Sequence, residues 1–384
     1  MAIDATPLLG TRTGVGRFCE GALGALAGVT ELDVDAFAVS WRRRRRLPPL
    51  VPAGIGVRQR AMPARPLHLA WSHLRSPDIE WFVGPKDVVH GTNYVVPPSR
   101  RAARIVTVHD LTTVRFPELC DTLSLRFPRM VRRAVADGAW VHTPSRFVAD
   151  EVVAAFDADP DRVRVVYHGV PSGATSVSAS GTGAGPGPSG GSPQDALPAG
   201  TSRYVLAVGT VEPRKDYPGL VRAFGSVAGS HPDVALVIAG ADGWGAGAFH
   251  EAVSSSPCRD RILQLGYVTD RALAQWLAAA EVLAFPSVYE GFGFPPLEAM
   301  AAGVPVVASA AGAVPEVVGD GAVLVAPGDT VALAGALVSV LDDGDARAAL
   351  IEKGRCRVAR FSWEACGTGL AALYFAAAAA AGAR

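Results

Sequence analysis

The sequence predicts an α/β protein made of two Rossmann-like domains, each a doubly wound parallel sheet. Three observations carry this prediction. Short apolar runs alternate with helical patterns along a chain of 384 residues. The runs are continuous Val, Ile, Leu and Ala, as in strands covered on both faces, rather than alternating apolar and polar. A Gly/Ser/Pro-rich segment divides them into two sets of similar length, and repeated βαβ units of this kind give doubly wound sheets.

In the first set, Met1–Asp4, Val34–Val39, Asp87–His90, Arg104–His109, Trp140–Thr143 and Val163–Tyr167 read as strands. Gly16–Leu26, Leu123–Asp137 and Ser145–Phe156 read as helices between them, with Ser145 a natural N-cap. In the second set the strands are Tyr204–Val208, Ala235–Ala239, Ile262–Leu265, Val282–Phe285, Val304–Ala308 and Ala322–Val325. Tyr217–Gly229, Asp270–Ala280, Pro296–Ala302 and Thr330–Leu341 are the helices of that half. Ser172–Gly200 holds almost no large apolar residue and cannot offset the entropy of ordering. It is expected to be a flexible linker, or a loop inserted beside the hinge. The expected domains are therefore 1–171 and 202–362, with 172–201 between them and a last helical stretch over 363–384. Ligands of such folds sit outside the carboxyl ends of the strands, which directs attention to the loops there and to a cleft between the domains.

Charge and cysteine content narrow the class. The 36 basic and 36 acidic residues cancel, which argues against a nucleic-acid partner. Residues 1–172 carry a net charge of +6 and residues 173–384 a net of −6. This fits either two domains of opposite sign facing one another or plain solvation. Cys19, Cys120, Cys258, Cys356 and Cys366 are scattered, with no zinc spacing, and read as reduced thiols in a cytoplasmic protein. The apolar tract Thr368–Ala383 is shorter than the roughly 20 residues a spanning helix needs, so at most a peripheral membrane contact is expected. The run Arg42–Arg46 is either a solvated loop or a contact with an anionic membrane surface.

Several segments fall at strand ends and carry chemistry. Phe285 ends a strand, and Glu290-Gly291-Phe292-Gly293-Phe294 then leads through Pro295-Pro296 into a helix. Backbone N–H groups at a helix start favour an anion, and Pro is suited to the first turn. Glu290 in the loop and Glu298, expected in the first helical turn, suit hydroxyl groups better than phosphate. Val208–Asp216 places Arg214 and Lys215 after another strand, either for a diphosphate or for an ion pair with Glu212 or Asp216. Gly14-x-Gly16 lacks the third glycine of a dinucleotide fingerprint, since Cys19 stands there, which argues against an oxidoreductase. His109 stands near a strand end, as does His90, where a structural role is the ordinary reading. Asp33/Asp35 and Asp157/Asp159 read as solvated carboxylates, so no metal site is expected.

The segment EGFGFPPLEAMAAGVPVVAS, with Glu290 and Glu298 eight residues apart, looks like the signature of retaining GT-B glycosyltransferases of family 4 (group 1). GTVEPRKD over 209–216 resembles the phosphate loop of a mannosyltransferase-like branch. The resemblance covers nearly the whole chain outside Ser172–Gly200. It implies a hexosyltransferase using a nucleotide-diphosphate sugar, with GDP-mannose first and UDP-sugars as the alternative. It implies a glycan or lipid-linked acceptor and no metal. It assigns Glu290 to the transferred sugar, Glu298 to the ribose and Lys215 to the phosphates. The family's Arg after the glycine is Thr210 here, which leaves open whether Arg214 supplies the second charge. Gly16 is implied at the donor phosphates or the acceptor, His109 at the sugar's outer hydroxyls, and the Phe292, Gly293 and Phe294 backbone at the leaving group. Val268 falls where the base would lie, and Ser145-Arg146 match a cleft-lining segment, while Trp244 has the family look without a derived role. The rivals are a sugar-nucleotide epimerase of the same fold, a dinucleotide-binding oxidoreductase, which the incomplete glycine fingerprint disfavours, and a silent sugar-nucleotide-binding module.

Overall fold

The computed structural model describes residues 1–10, 13–122, 124–170 and 192–382. The chain forms two compact units, Met1–Gly169 together with Phe361–Arg384, and Val170–Arg360. Most of the expected linker 172–201 lies outside the described residues. Its described end contains a short 3-10 turn, Pro193–Ala196, where the Ser192 N–H donates to the Asp195 carboxylate at 2.9 Å.

The first unit has strands β1 (Ala2–Asp4), β2 (Asp35–Phe37), β3 (Gly56–Arg58), β4 (Val88–Gly91), β5 (Ala103–Thr107), β6 (Trp140–Thr143) and β7 (Val163–Val165). They form one parallel sheet in the order β3-β2-β1-β4-β5-β6-β7. The second unit has β8 (Arg203–Val208), β9 (Val234–Ala239), β10 (Ile262–Gly266), β11 (Val282–Phe285), β12 (Val306–Ser309) and β13 (Val323–Val325). These are parallel in the order β10-β9-β8-β11-β12-β13. The central strands are buried throughout, all six residues of β9 among them, which is why they read as unbroken apolar runs. In each sheet the chain order reverses between two neighbours, β1 with β4 and β8 with β11, and ligands of such sheets bind at that point.

Three expectations are corrected. β3 has no apolar run to announce it and lies at the sheet edge with two of its three residues exposed. The expected helix Leu123–Asp137 is a 3-10 turn, Ser124–Arg126, followed by an α-helix over Phe127–Ala136. Pro128 falls in that helix's first turn, the one helical place it fits without breaking a hydrogen bond. Asp35 is not a solvated carboxylate. It is buried on β2 and pairs with Arg58 at 2.8 Å and with Lys86.

The last helix, Trp363–Gly382, belongs to the first unit and packs along the helix Gly14–Leu26. Contact is close, because a Cβ at Gly21 would fall 2.3 Å from the Trp363 ring. By length and composition the helical stretch 344–382 contains a window apolar enough to cross a membrane, with mean hydropathy 1.4. Its last part buries Cys366, Leu370, Leu373, Tyr374 and Ala377.

Tyr374 starts a chain of hydrogen bonds across the sheet whose direction is fixed by its far end. His142 Nε2 lies 3.0 Å from the Val166 carbonyl, which only accepts, so a neutral His142 carries its proton on Nε2. Its Nδ1 then accepts from the Thr107 hydroxyl at 2.9 Å. Thr107 in turn accepts from His90 Nε2 at 2.7 Å, and His90 Nδ1 accepts from the Tyr374 hydroxyl at 2.8 Å. Burial, with repulsion from neighbouring histidines, holds His90 well below the usual histidine range and His142 down to about 4. Burial lowers His109 and His168 as well.

Two outcomes follow for urea unfolding. Tyr374→Phe leaves His90 Nδ1 without its donor and should lose about 1–3 kcal/mol, whereas unchanged stability would contradict the chain of bonds. The histidines are neutral when folded and protonate near pH 6.5 when unfolded, so the unfolded state binds more protons as pH falls. Stability should therefore drop below pH 6.5, by roughly 2 kcal/mol at pH 5 from His142 alone. Asp4, whose carboxyl burial raises to about 6, works in the opposite sense as one group against four. A flat profile between pH 7 and 5 would contradict neutral buried histidines.

Candidate active site

In the second unit the reversal of strand order brings two loops together, 209–216 after β8 and 286–293 after β11. They are joined by a backbone bond, Val288 N–H to Arg214 carbonyl, 2.9 Å. Pro213 opens a 3-10 turn, Pro213–Lys215. Asp216 then takes a left-handed conformation, φ 47°, and its carboxylate caps the helix Tyr217–Ser230 by accepting from Gly219 N–H at 3.1 Å. This sharp change of direction leaves Arg214 and Lys215 side by side against the second loop.

The two cations meet one carboxylate. Lys215 Nζ is 2.5 Å from Glu290 Oε1 and lies 4.8 Å from the centre of the Phe285 ring. Arg214 Nη1 is 2.7 Å from Glu290 Oε2 and 3.0 Å from the Tyr289 carbonyl, while Nη2 is 2.7 Å from Glu212 Oε1. The ion pair with Glu212 read from sequence is therefore present, but as one side of a larger cluster. Asp216 instead caps the following helix. Lys215 and Glu290 are both buried. Burial opposes the charge on Glu290, but Arg214 and Lys215 outweigh it and hold the carboxyl down to about 2. Burial lowers Lys215, with Glu290 acting to raise it again. The Glu290 backbone is fixed as well. Its carbonyl accepts from Ala313 N–H at 2.8 Å, and Gly312, at φ 57°, comes so near that a Cβ would lie 2.3 Å from that oxygen.

The remaining candidates on this unit lie around the same loops. Gly293, at φ 102°, is the N-cap of a helix over Phe294–Ala301. The helix starts two residues before Pro296, so Glu298 lies beyond the first turn rather than in it, and is half-buried. Pro295 and Pro296 carry no N–H, so backbone donors at this terminus come from the preceding loop and Phe294. Phe292 is buried with its ring edge-on to Phe294, centroids 5.3 Å apart. Val268 is half-buried between β10 and the helix Asp270–Ala278, which Thr269 caps through Ala272 N–H. Tyr267 beside it is exposed, as is Trp244.

On the first unit, Gly16 is buried inside the first turn of the helix Gly14–Leu26 rather than in a loop. His109 stands two residues beyond the end of β5, not within the strand. Its Nε2 donates to the Thr92 carbonyl at 2.8 Å, and its ring touches Phe18, Tyr94 and His168. Ser145 is the N-cap of the helix Arg146–Phe156, accepting from Val148 N–H at 3.2 Å. His90 is fully buried with both ring nitrogens engaged, which gives it a structural role. Asp4 ends β1 at the reversal point and bonds Thr6 N–H at 2.8 Å; its place at a strand end was the only signal in the sequence. Arg43–Arg46 form a 3-10 turn in which Arg44 Nε bonds the Gln59 carbonyl at 2.8 Å. Among the described residues no three His, Cys, Asp or Glu side chains cluster so as to hold a metal ion.

Comparison with known proteins identifies the family and the fold. Residues 13–173 match the family described as Glycosyltransferase Family 4, and residues 192–357 match Glycosyl transferases group 1. The O-antigen chain mannosyltransferase B of Escherichia coli is 30% identical over 289 residues, 73% of this chain and 72% of that protein. The MMP alpha-(1->4)-mannosyltransferase of Mycolicibacterium hassiacum is 47% identical over 111 residues, 28% of this chain and 27% of that one. The solved structure of sucrose-phosphate synthase from Thermosynechococcus elongatus has a TM-score of 0.71 and 20% identity, covering 99% of both chains. The two parallel-sheet units are those of the GT-B fold. The chain belongs to the group 1, family 4 glycosyltransferases and is an enzyme of that class.

Proposed function

We propose that the enzyme transfers mannose from GDP-mannose, with retention, to a hydroxyl of a glycan or lipid-linked acceptor. The observation that carries this is the pairing of Lys215 and Arg214 with Glu290 where two strand-end loops of the second unit meet. It puts cations for a diphosphate beside a carboxylate suited to sugar hydroxyls. The two mannosyltransferase relatives support the choice of mannose.

In this reading the bond between the anomeric carbon and the phosphate oxygen breaks, and its electron pair stays on the diphosphate. Lys215, Arg214 and backbone N–H groups of the Phe292–Phe294 segment take up that charge in place of a metal. The acceptor oxygen bonds the anomeric carbon from the departing side, and its proton passes to the leaving phosphate. Glu290 orients the sugar, Glu298 the ribose, and Val268 borders the base. On the first unit the reading assigns Gly16 to the donor phosphates and His109 to the sugar's outer hydroxyls.

Donor consumption with a lipid extract as acceptor tests this. GDP-mannose should turn over faster than UDP-glucose or UDP-N-acetylglucosamine, and Lys215→Ala should lower kcat by about 10²–10³. Faster turnover of a UDP-sugar would reassign the donor. Tight nucleotide binding without turnover of any donor would contradict catalysis.

The reading places the reaction at the cytoplasmic face of a membrane, in keeping with five cysteines scattered along the sequence. Arg42, Arg43, Arg45 and Arg46 are exposed beside Trp41, itself 59% exposed. Each arginine near an anionic surface is worth about 1 kcal/mol. Flotation with phosphatidylglycerol vesicles should weaken when the run is replaced by serine. Equal flotation of both proteins would contradict the contact.

A further inference from the structure

We infer that Glu290 competes with the donor's diphosphate for Lys215 and Arg214, and is released toward the sugar only when the diphosphate takes its place. This rests on the reading of Lys215 and Arg214 as the phosphate cations.

The argument starts from charge. Arg214 and Lys215 bring two positive charges, Glu290 and Glu212 two negative ones, and the four side chains are joined by contacts of 2.5–2.7 Å. As it stands the cluster is neutral, and both carboxylate oxygens of Glu290 are on the cations the diphosphate needs. A neutral site has little to offer a dianion. Departure of Glu290 restores a net positive charge, freeing Lys215 and one bond of Arg214. Arg214 would keep its bonds to Glu212 and to the Tyr289 carbonyl, and so its position.

Departure without replacement is costly. Lys215 is buried, and a buried ammonium that loses its partner is strongly destabilising. The carboxylate is therefore held until another anion arrives. The Glu290 backbone is pinned by Ala313 N–H and by the close approach of Gly312, so the exchange is assigned to rotation of the side chain. The same event that seats the diphosphate thus supplies a free carboxylate for the sugar.

Titration calorimetry of the intact protein with GDP, UDP and inorganic pyrophosphate tests the exchange. Glu290→Gln keeps the shape and removes the competing charge. It should bind pyrophosphate and the preferred nucleotide about tenfold more tightly than the wild type, about 1.4 kcal/mol. Lys215→Ala should lose binding, and the gain from Glu290→Gln should vanish in the double variant. Should Glu290→Gln fail to fold with its lysine stranded, Glu290→Asp keeps the charge but shortens its reach and should show a smaller gain of the same sign. A folded Glu290→Gln, or Glu290→Asp in its place, that binds no better than wild type while Lys215→Ala binds poorly would overturn the exchange alone. Wild-type binding by Lys215→Ala would overturn both the exchange and the reading beneath it.

Discussion

The second unit is organised around one buried carboxylate held by two cations. Lys215 and Arg214 are adjacent in sequence and Glu290 lies 75 residues further on, so the pairing ties the loop after β8 to the loop after β11. Breaking such a buried pair by removing one partner typically costs 3–5 kcal/mol, since it leaves a charge without compensation. Local features serve the pairing. The left-handed Asp216 ends the turn carrying the cations, the Val288–Arg214 backbone bond joins the loops, and Gly312 admits the chain beneath Glu290. The buried Lys215, with the half-buried Arg214 beside it, needs an anion there at all times, which is a constraint on catalysis as well as on folding.

The first unit follows the same topological rule with different electrostatics. Near its reversal point stand Asp4, whose carboxyl burial raises to about 6, and His90, which burial keeps unprotonated. The line of bonds from Tyr374 to Val166 fixes the tautomers of His90 and His142 and fastens the last helix to the sheet. That helix is the chain's return to its first unit after the whole second unit has been built.

Much of this was legible in the sequence, for identifiable reasons. Strands buried on both faces cannot alternate, so β8, β9, β11 and β12 stood out as apolar runs. Glu290, Arg214 and Lys215 drew attention because strand ends are where such sheets bind ligands, and the resemblance to the family turned the two cations from an ion pair into a phosphate site. What was hidden depends on partners distant in sequence. Asp35 looked like a surface residue because Arg58 and Lys86, which neutralise it, come from other elements. The helix Gly344–Val358 lacks an apolar stripe, with Gly354 its one buried residue, and gave no periodic signal. That one carboxylate would take both cations could not be read from spacing alone. Nor could the start of the helix at Phe294, which moves Glu298 out of the first turn.

The central claim is that Lys215 and Arg214 receive the donor's diphosphate and that Glu290 yields to it. A crystal structure of the enzyme with GDP-mannose tests this most directly. The account predicts phosphate oxygens within hydrogen-bond distance of Lys215 Nζ and Arg214, the Glu290 carboxylate turned off the lysine toward the sugar, and the base near Tyr267 and Val268. A bound donor whose diphosphate lies elsewhere, with the Lys215–Glu290 pair intact, would contradict it.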